Sequence, residues 1–340
     1  MNEKVTIVVP IYNVEKFVEK CLISLINQTY MNIEILAIID GSKDGSIDIV
    51  KKYEKLDSRV ICIEKENGGY GSVLQYAIKM IKTKYFMICD PDDWLAENAV
   101  QDLIETAETY NVDLVVADKY LVYTNNYEEK YCSSVKEDFE ITPGVLLTDN
   151  KVFDMAFLEV SPHSKLYKTE LVKDLIFPLR VNYTDFLLYI YALTKVKTGI
   201  YINKALSYYL IDREGNSATD KSVKAIKNQI TVYYEIIKHL KSNLHTKLLF
   251  RMYVQLRYPI LNIASKLTKA DYKVIKKEII KLFETINFQK YMLKYIKSKN
   301  KIKELFNKII YCGFSFSFSR GCTIDFVVFL NKIRRFGRKI

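Results

Sequence analysis

Glycine and proline are scarce in this 340-residue chain, with 11 and 6 copies, which argues against a collagen-like, low-complexity or disordered protein. Histidine is scarcer, at three copies, and none of the six cysteines forms a Cys-x-x-Cys pair, so a structural zinc site is not expected. Three cysteines lie inside apolar runs, which points to reduced, buried thiols in a cytosolic protein rather than to a disulfide framework. No apolar run is long enough for a transmembrane helix. Met1-Asn2-Glu3-Lys4, followed at once by a strand-like run, does not read as a signal peptide.

What is present is a 49% apolar composition, ample for a substantial core, and a net charge of +11. Much of the excess Lys and Arg falls after residue 220. A basic half suits nucleic acid, an anionic membrane surface or a solvated face. Aromatic-interleaved basic motifs and a recognition helix are missing, so no nucleic-acid partner is expected. The tail runs Ile324-Asp325-Phe326-Val327-Val328-Phe329-Leu330 and closes with Lys332, Arg334, Arg335, Arg338 and Lys339. An apolar segment ahead of a basic cluster suits the headgroup region of an anionic bilayer; a C-terminal helix docked on the domain with a solvated end is the equal alternative.

Val5–Pro10, Ile33–Ile39, Val60–Ile63, Tyr85–Cys89 and Asp113–Ala117 read as short β-rich strands. Between them, apolar residues recur at helical spacing, as in Val14, Phe17, Val18, Cys21, Leu22 and Leu25, and Ser46 reads as the N-cap of a helix to about Leu56. Strand and helix alternate over residues 5 to 117, which predicts parallel pairing in an α/β sheet with helices on both faces. Right-handed crossovers then bring every strand's C-terminal end to one edge, where ligands of such sheets bind. Pro10-Ile11-Tyr12-Asn13, Asp40 and Asp90-Pro91-Asp92-Asp93 follow strands directly and are expected to converge there. Residues 118 to 215 read as mixed, with strands near Tyr120–Tyr123 and Gly199–Ile202 and a helix from Tyr183-Thr184-Asp185. From about Ser217 the pattern is helical and Lys-rich, with Pro259 its sole proline, giving expected domains of 1–215 and 216–340.

Clustered carboxylates at a sheet edge repel one another and are tolerable when a hard divalent cation joins them. A transferase using a sugar nucleotide needs such a cation as Lewis acid on the departing diphosphate. An ionised Asp40 can accept from the imide N–H of uracil, and Asp90 and Asp92 can hold ribose and metal.

Val5-Thr6-Ile7-Val8-Val9-Pro10-Ile11-Tyr12-Asn13, Asp40-Gly41-Ser42-Lys43-Asp44-Gly45-Ser46, Asn67-Gly68-Gly69 and Asp90-Pro91-Asp92-Asp93-Trp94 together resemble the successive motifs of family 2 glycosyltransferases, inverting enzymes of the GT-A fold, over roughly residues 4 to 120. The resemblance continues through Ser161–Lys168 and Phe177-Pro178 to Tyr183-Thr184-Asp185. It implies a GT-A catalytic domain with a helical C-terminal region, and transfer of one sugar from a UDP-sugar to an acceptor hydroxyl in polysaccharide or glycan assembly. It further implies donor contacts from Pro10, Tyr12, Asn13, Asp40, Gly69, Asp90 and Asp93, a Mn²⁺ or Mg²⁺ ion on Asp92 and Asp90, and Asp185 as general base. The implied acceptor is a glycan, lipid-linked or protein-linked, and the implied location is the cytoplasm, at the inner face of the cell membrane.

Four positions depart from the family pattern: Ile39 replaces the first Asp of the Asp-Asp-Gly-Ser motif, Leu74-Gln75 the usual Arg-Asn pair, and Thr184 the usual Glu before Asp185. The departures at Leu74-Gln75 and Thr184 keep open a sugar-nucleotide-binding module without turnover. No Gln-x-x-Arg-Trp motif is present, which argues against a processive synthase. His163 reads as structural or substrate-positioning. Lys165 reads as a phosphate partner or a cover for apolar surface, Trp94 as a sugar-stacking ring or a loop anchor, and Arg213 as a loop cation over the diphosphate or a solvated residue.

Overall fold

The computed structural model describes residues 3–136, 139–213, 220, 222–239, 245–255, 260–285, 290–296, 301–315 and 317–337. Met1, Asn2, Ser217, Pro259, Arg338 and Lys339, which figure in the sequence reading, lie outside the described residues. Chain contacts divide the protein into two compact units, residues 1–136 with 141–218 and residues 137–140 with 219–340.

The first unit is built on β1 (Val5–Ile11), whose seven residues are all buried. Each buried aliphatic side chain contributes roughly 1.5–3 kcal/mol, so this strand is a strong anchor. There follow α1 (Val18–Ile26), β2 (Ile33–Asp40), α2 (Ser46–Leu56), β3 (Val60–Lys65), α3 (Tyr70–Met80) and β4 (Tyr85–Ile88). The four strands pair in parallel in the order β3-β2-β1-β4. α1 buries Val18, Cys21, Leu22 and Leu25, one helical stripe, against this sheet. All six cysteines are free thiols, and Cys21 and Cys89 are buried.

Beyond β4 the chain adds β5 (Trp94–Leu95), α4 (Ala99–Tyr110), β6 (Leu114–Val122), β7 (Glu129–Cys132), β8 (Leu147–Thr148), β9 (Lys165–Lys168), α5 (Thr184–Leu193) and β10 (Thr198–Leu210). The parallel pairing expected from the strand–helix alternation holds for β1 to β4, and antiparallel members enter beyond them. β9 lies between β4 and β6 and runs antiparallel to both. The sheet is therefore mixed, in the order β3-β2-β1-β4-β9-β6-β10-β5, with β7 on β6 and β8 on β10. β9 escapes sequence reading because Lys165-Leu166-Tyr167-Lys168 has a lysine at each end and no β-branched residue, yet Lys165 is fully buried. Likewise β6 is one nine-residue strand that covers both segments read as separate.

The second unit is helical: α6 (Val223–His239), α7 (Thr246–Gln255), α8 (Leu261–Ala264), α9 (Lys269–Thr285), α10 (Lys301–Ser315) and α11 (Ser317–Gly337). Its interior contains Tyr233, Tyr253, Phe283, Tyr311 and Phe314, with Phe283 stacked on Phe314 at 4.5 Å. Among the described residues no helix is long and apolar enough to cross a membrane.

Candidate active site

The parallel register aligns the ends of β1, β2 and β4, because Ile11 pairs with Ile39 and Val8 with Ile88. Pro10 sits in the middle of the sheet, where a proline normally removes a ladder bond. The carbonyl of Val8 accepts from the Cys89 N–H, so position 10, two residues on, faces the same side. There β4 has already turned away, and the missing N–H costs nothing.

The turn after β1 and the turn after β2 are stitched together. Asn13 Oδ1 accepts from Lys43 N–H at 2.8 Å, Asp44 from Glu15 N–H at 2.9 Å, Glu15 from Gly45 N–H at 2.7 Å, and Ser46 Oγ from Val14 N–H at 3.0 Å. Ser46 is thus the first residue of α2 and binds the neighbouring turn instead of capping its own helix. Asn13 takes a left-handed φ of 50°, which asparagine tolerates, and Tyr12 stands exposed beside it.

Asp40, the last residue of β2, is buried. Its carboxylate accepts from Gly68 N–H at 2.9 Å, Gly69 N–H at 2.8 Å and the Lys65 ammonium, while Asn67 donates to its carbonyl. Asp40 therefore fixes the Asn67-Gly68-Gly69 turn. Gly69 adopts φ +83°, and a Cβ there would stand 3.0 Å from Arg180 Cα. Arg180 N–H in turn donates to Gly68 O at 2.7 Å, and Gly71 packs on Pro178 and Thr184. Gln75, at a position of family departure, accepts from Phe177 N–H at 2.9 Å. The glycine turn and the segment leading to Asp185 are thereby held against each other.

The acidic turn closes by a bond from Asp93 N–H to Asp90 O at 3.0 Å. Tyr70, the first residue of α3, donates its hydroxyl to Asp90 Oδ1 at 2.9 Å. Asp92 is paired with Arg213. Asp93 accepts from Leu210 N–H at 2.8 Å and meets His163 Nε2 at 2.6 Å. On the other side of that ring, Lys119 Nζ lies 3.5 Å from Nδ1 and also donates to Ser161. An ammonium facing Nδ1 leaves the ring hydrogen on Nε2, donated to Asp93. Burial and the Lys119 and Lys165 charges hold the imidazole well below its usual range, so His163 is a neutral strut under the turn. Lys165, pushed down to about 7 by burial and then by Lys119, donates to the carbonyls of Ser161 and His163.

Burial first, then the Asp92 charge, pushes Asp90 up to about 7; the Tyr70 bond pulls the other way and the Asp185 charge adds to the rise. Asp185, in the first turn of α5, is pushed up to about 6 by burial, opposed by the Phe186 N–H and the Lys165 charge. Asp90, Asp93 and His163 have ligand atoms within 4.8 Å of one another. A divalent cation fits this acidic rim, since carboxylates that raise one another's proton affinity also favour a dication. Both oxygens of Asp93 already have protein donors, whereas Asp90 is half-buried at the rim.

Trp94 does not offer a ring face to a sugar: Tyr208 stacks on one side at 5.3 Å and the Lys20 ammonium lies 3.1 Å from its centroid. Its loop-anchor role is the one the fold adopts. Tyr70 is the site residue that the sequence reading passes over, and Gln75 enters it only as a departure from the family pattern. The sole local signal for Tyr70 is its place directly after Asn67-Gly68-Gly69.

The family model for glycosyl transferase family 2 matches residues 6–176. The chain is 31% identical over 258 residues to the glycosyltransferase GlyA of Streptococcus pneumoniae serotype 4, covering 71% of this chain and 36% of GlyA. It spans about a third of the length of the first curated relatives it matches. Among solved structures it resembles residues 1–349 of S. aureus TarS in complex with UDP-GlcNAc, with a TM-score of 0.66 and 19% identity over 95% of this chain and 90% of that one. It also resembles the mannosyltransferase PcManGT from Pyrobaculum calidifontis in complex with GDP-Man and Mn²⁺, with a TM-score of 0.53 and 14% identity over 98% and 88% of the two chains.

Proposed function

The chain belongs to glycosyl transferase family 2, and from that membership we propose that it transfers a single sugar from a UDP-sugar to an acceptor hydroxyl, with inversion at the anomeric carbon, in glycan assembly. The observation that carries the proposal is the meeting of four segments, distant in sequence, at one sheet edge. Asp40 holds the Gly68-Gly69 turn, Tyr70 from the same turn reaches Asp90, and Gly71 packs on Thr184 beside Asp185.

In this reading the base and ribose lie over Pro10, Tyr12 and Asn13. Asp40 shapes that pocket through the glycine turn and offers a remaining lone pair to the uracil imide. The UDP moiety is favoured by the likeness to TarS bound to UDP-GlcNAc. Asp90 and Asp92 would hold Mn²⁺ or Mg²⁺, which when bound supplies a Lewis acid for the diphosphate. Asp93 supports the turn through Leu210 and His163. Asp185 takes the acceptor proton; its raised pKa keeps it basic enough for that transfer while still ionised at neutral pH. One displacement at the anomeric carbon forms the new glycosidic bond and expels UDP.

A second reading, a binding module without turnover, is favoured by one observation: Gln75 and Thr184 serve the packing of the 177–185 segment. Incubation with a panel of UDP-sugars and Mn²⁺, reading UDP release with and without glycan acceptors, separates the two. Release that Asp185→Asn abolishes supports transfer. Binding of UDP-sugars by thermal shift with no release under any condition supports the module.

A further inference from the structure

We infer that the helical second unit carries a docking surface for an anionic lipid bilayer, formed by the outward faces of α10 and α11. On α10, Ile302, Leu305 and Ile309 recur at i, i+3 and i+7 and share one face, while Ile310, Tyr311 and Phe314 are buried on the other. On α11, Phe326 and Phe329 point outward while Ile324, Val327 and Val328 are buried. These five outward side chains are 46% to 82% exposed. Such a helix pair is apolar on both sides, and the packing of the unit uses only one of them.

The two stripes adjoin. α10 and α11 pack on each other, and Phe306, beside the α10 stripe, meets Phe326 edge-on at 6.1 Å. The outward residues therefore form a contiguous patch rather than scattered apolar points.

Charge selects the occupant. Residues 219–340 contain 27 Lys and Arg against 7 Asp and Glu, while the rest of the chain contains 24 against 33. The acidic groups closest in sequence to the patch are already neutralised. Glu304 lies between Lys301 and Lys308, and Asp325 accepts from Lys276 and Tyr272. An apolar face on a strongly cationic body matches an anionic headgroup layer with acyl chains beneath it. A second copy of the same cationic unit would meet like charge. The surface is independent of the proposed transfer chemistry.

The test is flotation of the full chain with mixed phosphatidylcholine–phosphatidylglycerol vesicles and with phosphatidylcholine alone. The wild type is expected to float with the anionic vesicles and to be released by salt. Leu305→Ser, Ile309→Ser and Phe326→Ser combined are expected to lower the bound fraction at least about tenfold, with helix content and Tm unchanged. The single variant Ile309→Ser, expected to show a smaller loss, guards against a folding defect in the triple variant. Wild-type protein that stays in solution, or a folded triple variant that floats equally well, overturns the inference. So does a wild type that does not float but is a dimer by light scattering and becomes a monomer on the triple substitution.

Discussion

Tyr70 donates its hydroxyl to Asp90 across 20 residues of sequence, at 2.9 Å. This bond joins the glycine turn gripped by Asp40 to the acidic turn after β4. It also opposes the rise in the Asp90 pKa that burial and Asp92 impose. Tyr70→Phe should therefore weaken cation binding at the acidic turn. A hydrogen bond to a charged group contributes about 1.5–3 kcal/mol, so the Mn²⁺ concentration for half-maximal transfer should rise about tenfold or more. A metal titration of initial rates checks this, and an unchanged midpoint would remove Tyr70 from the site.

Asp185 carries two predictions of opposite sign. A base with a pKa of about 6 is ionised above that value, so kcat/KM should fall as pH drops through about 6 and level off above it. Asp185→Asn should lower kcat by about 10²–10⁴-fold while leaving UDP binding near normal.

Stability moves the other way. A carboxyl whose folded pKa is raised keeps its proton where the unfolded chain has lost it. Stability therefore falls as pH rises from about 4 to about 6, and the cost at neutral pH is on the order of 1–3 kcal/mol. Asp185→Asn should raise Tm at neutral pH and change it little near pH 4. Equal effects at both pH values would show that burial of the charge is not the cause.

Two glycines with positive φ should respond differently to alanine. Gly69 at φ +83° faces Arg180 backbone at 3.0 Å, and backbone on both sides cannot yield. Gly69→Ala should cost about 1–3 kcal/mol and disturb donor binding. At Gly144, with φ +73°, no described residue lies within 4 Å of where a Cβ would stand. Gly144→Ala should cost only about 1 kcal/mol, from the left-handed backbone alone, and leave transfer intact. Chemical denaturation of both variants, with UDP-sugar titration, makes the comparison.

Thr184 is fully buried, and among the described residues its hydroxyl has no hydrogen-bond partner. Thr184→Val keeps the shape and removes the unsatisfied group, so it should stabilise the protein by about 1 kcal/mol with activity preserved. A loss of activity would mean that the hydroxyl is used during turnover.

Much of the frame was legible in the chain. Apolar runs such as Val5–Pro10 and Tyr85–Cys89 carry a strand signal within a few residues, and parallel pairing then forces Asp40 and Asp90 to a common edge. Two parts were not legible. β9 has lysines where a buried strand should have apolar residues; Lys165 is tolerated because it donates to two carbonyls and its charge is suppressed. Asp92 reads as a bare metal ligand until Arg213, 121 residues away, is seen against it.

The sequence by itself determined the strand–helix alternation, the carboxylates at strand ends and the cationic second half, because each is a local pattern of polarity and charge. Only the tertiary structure decided which donor each carboxylate receives: Gly69 for Asp40, Tyr70 for Asp90, Arg213 for Asp92 and His163 for Asp93. It alone also decided that α10 and α11 leave one apolar face outward. Hydrogen bonds between residues far apart in the chain leave no periodic trace in it, since they depend on how the turns pack after the strands have paired.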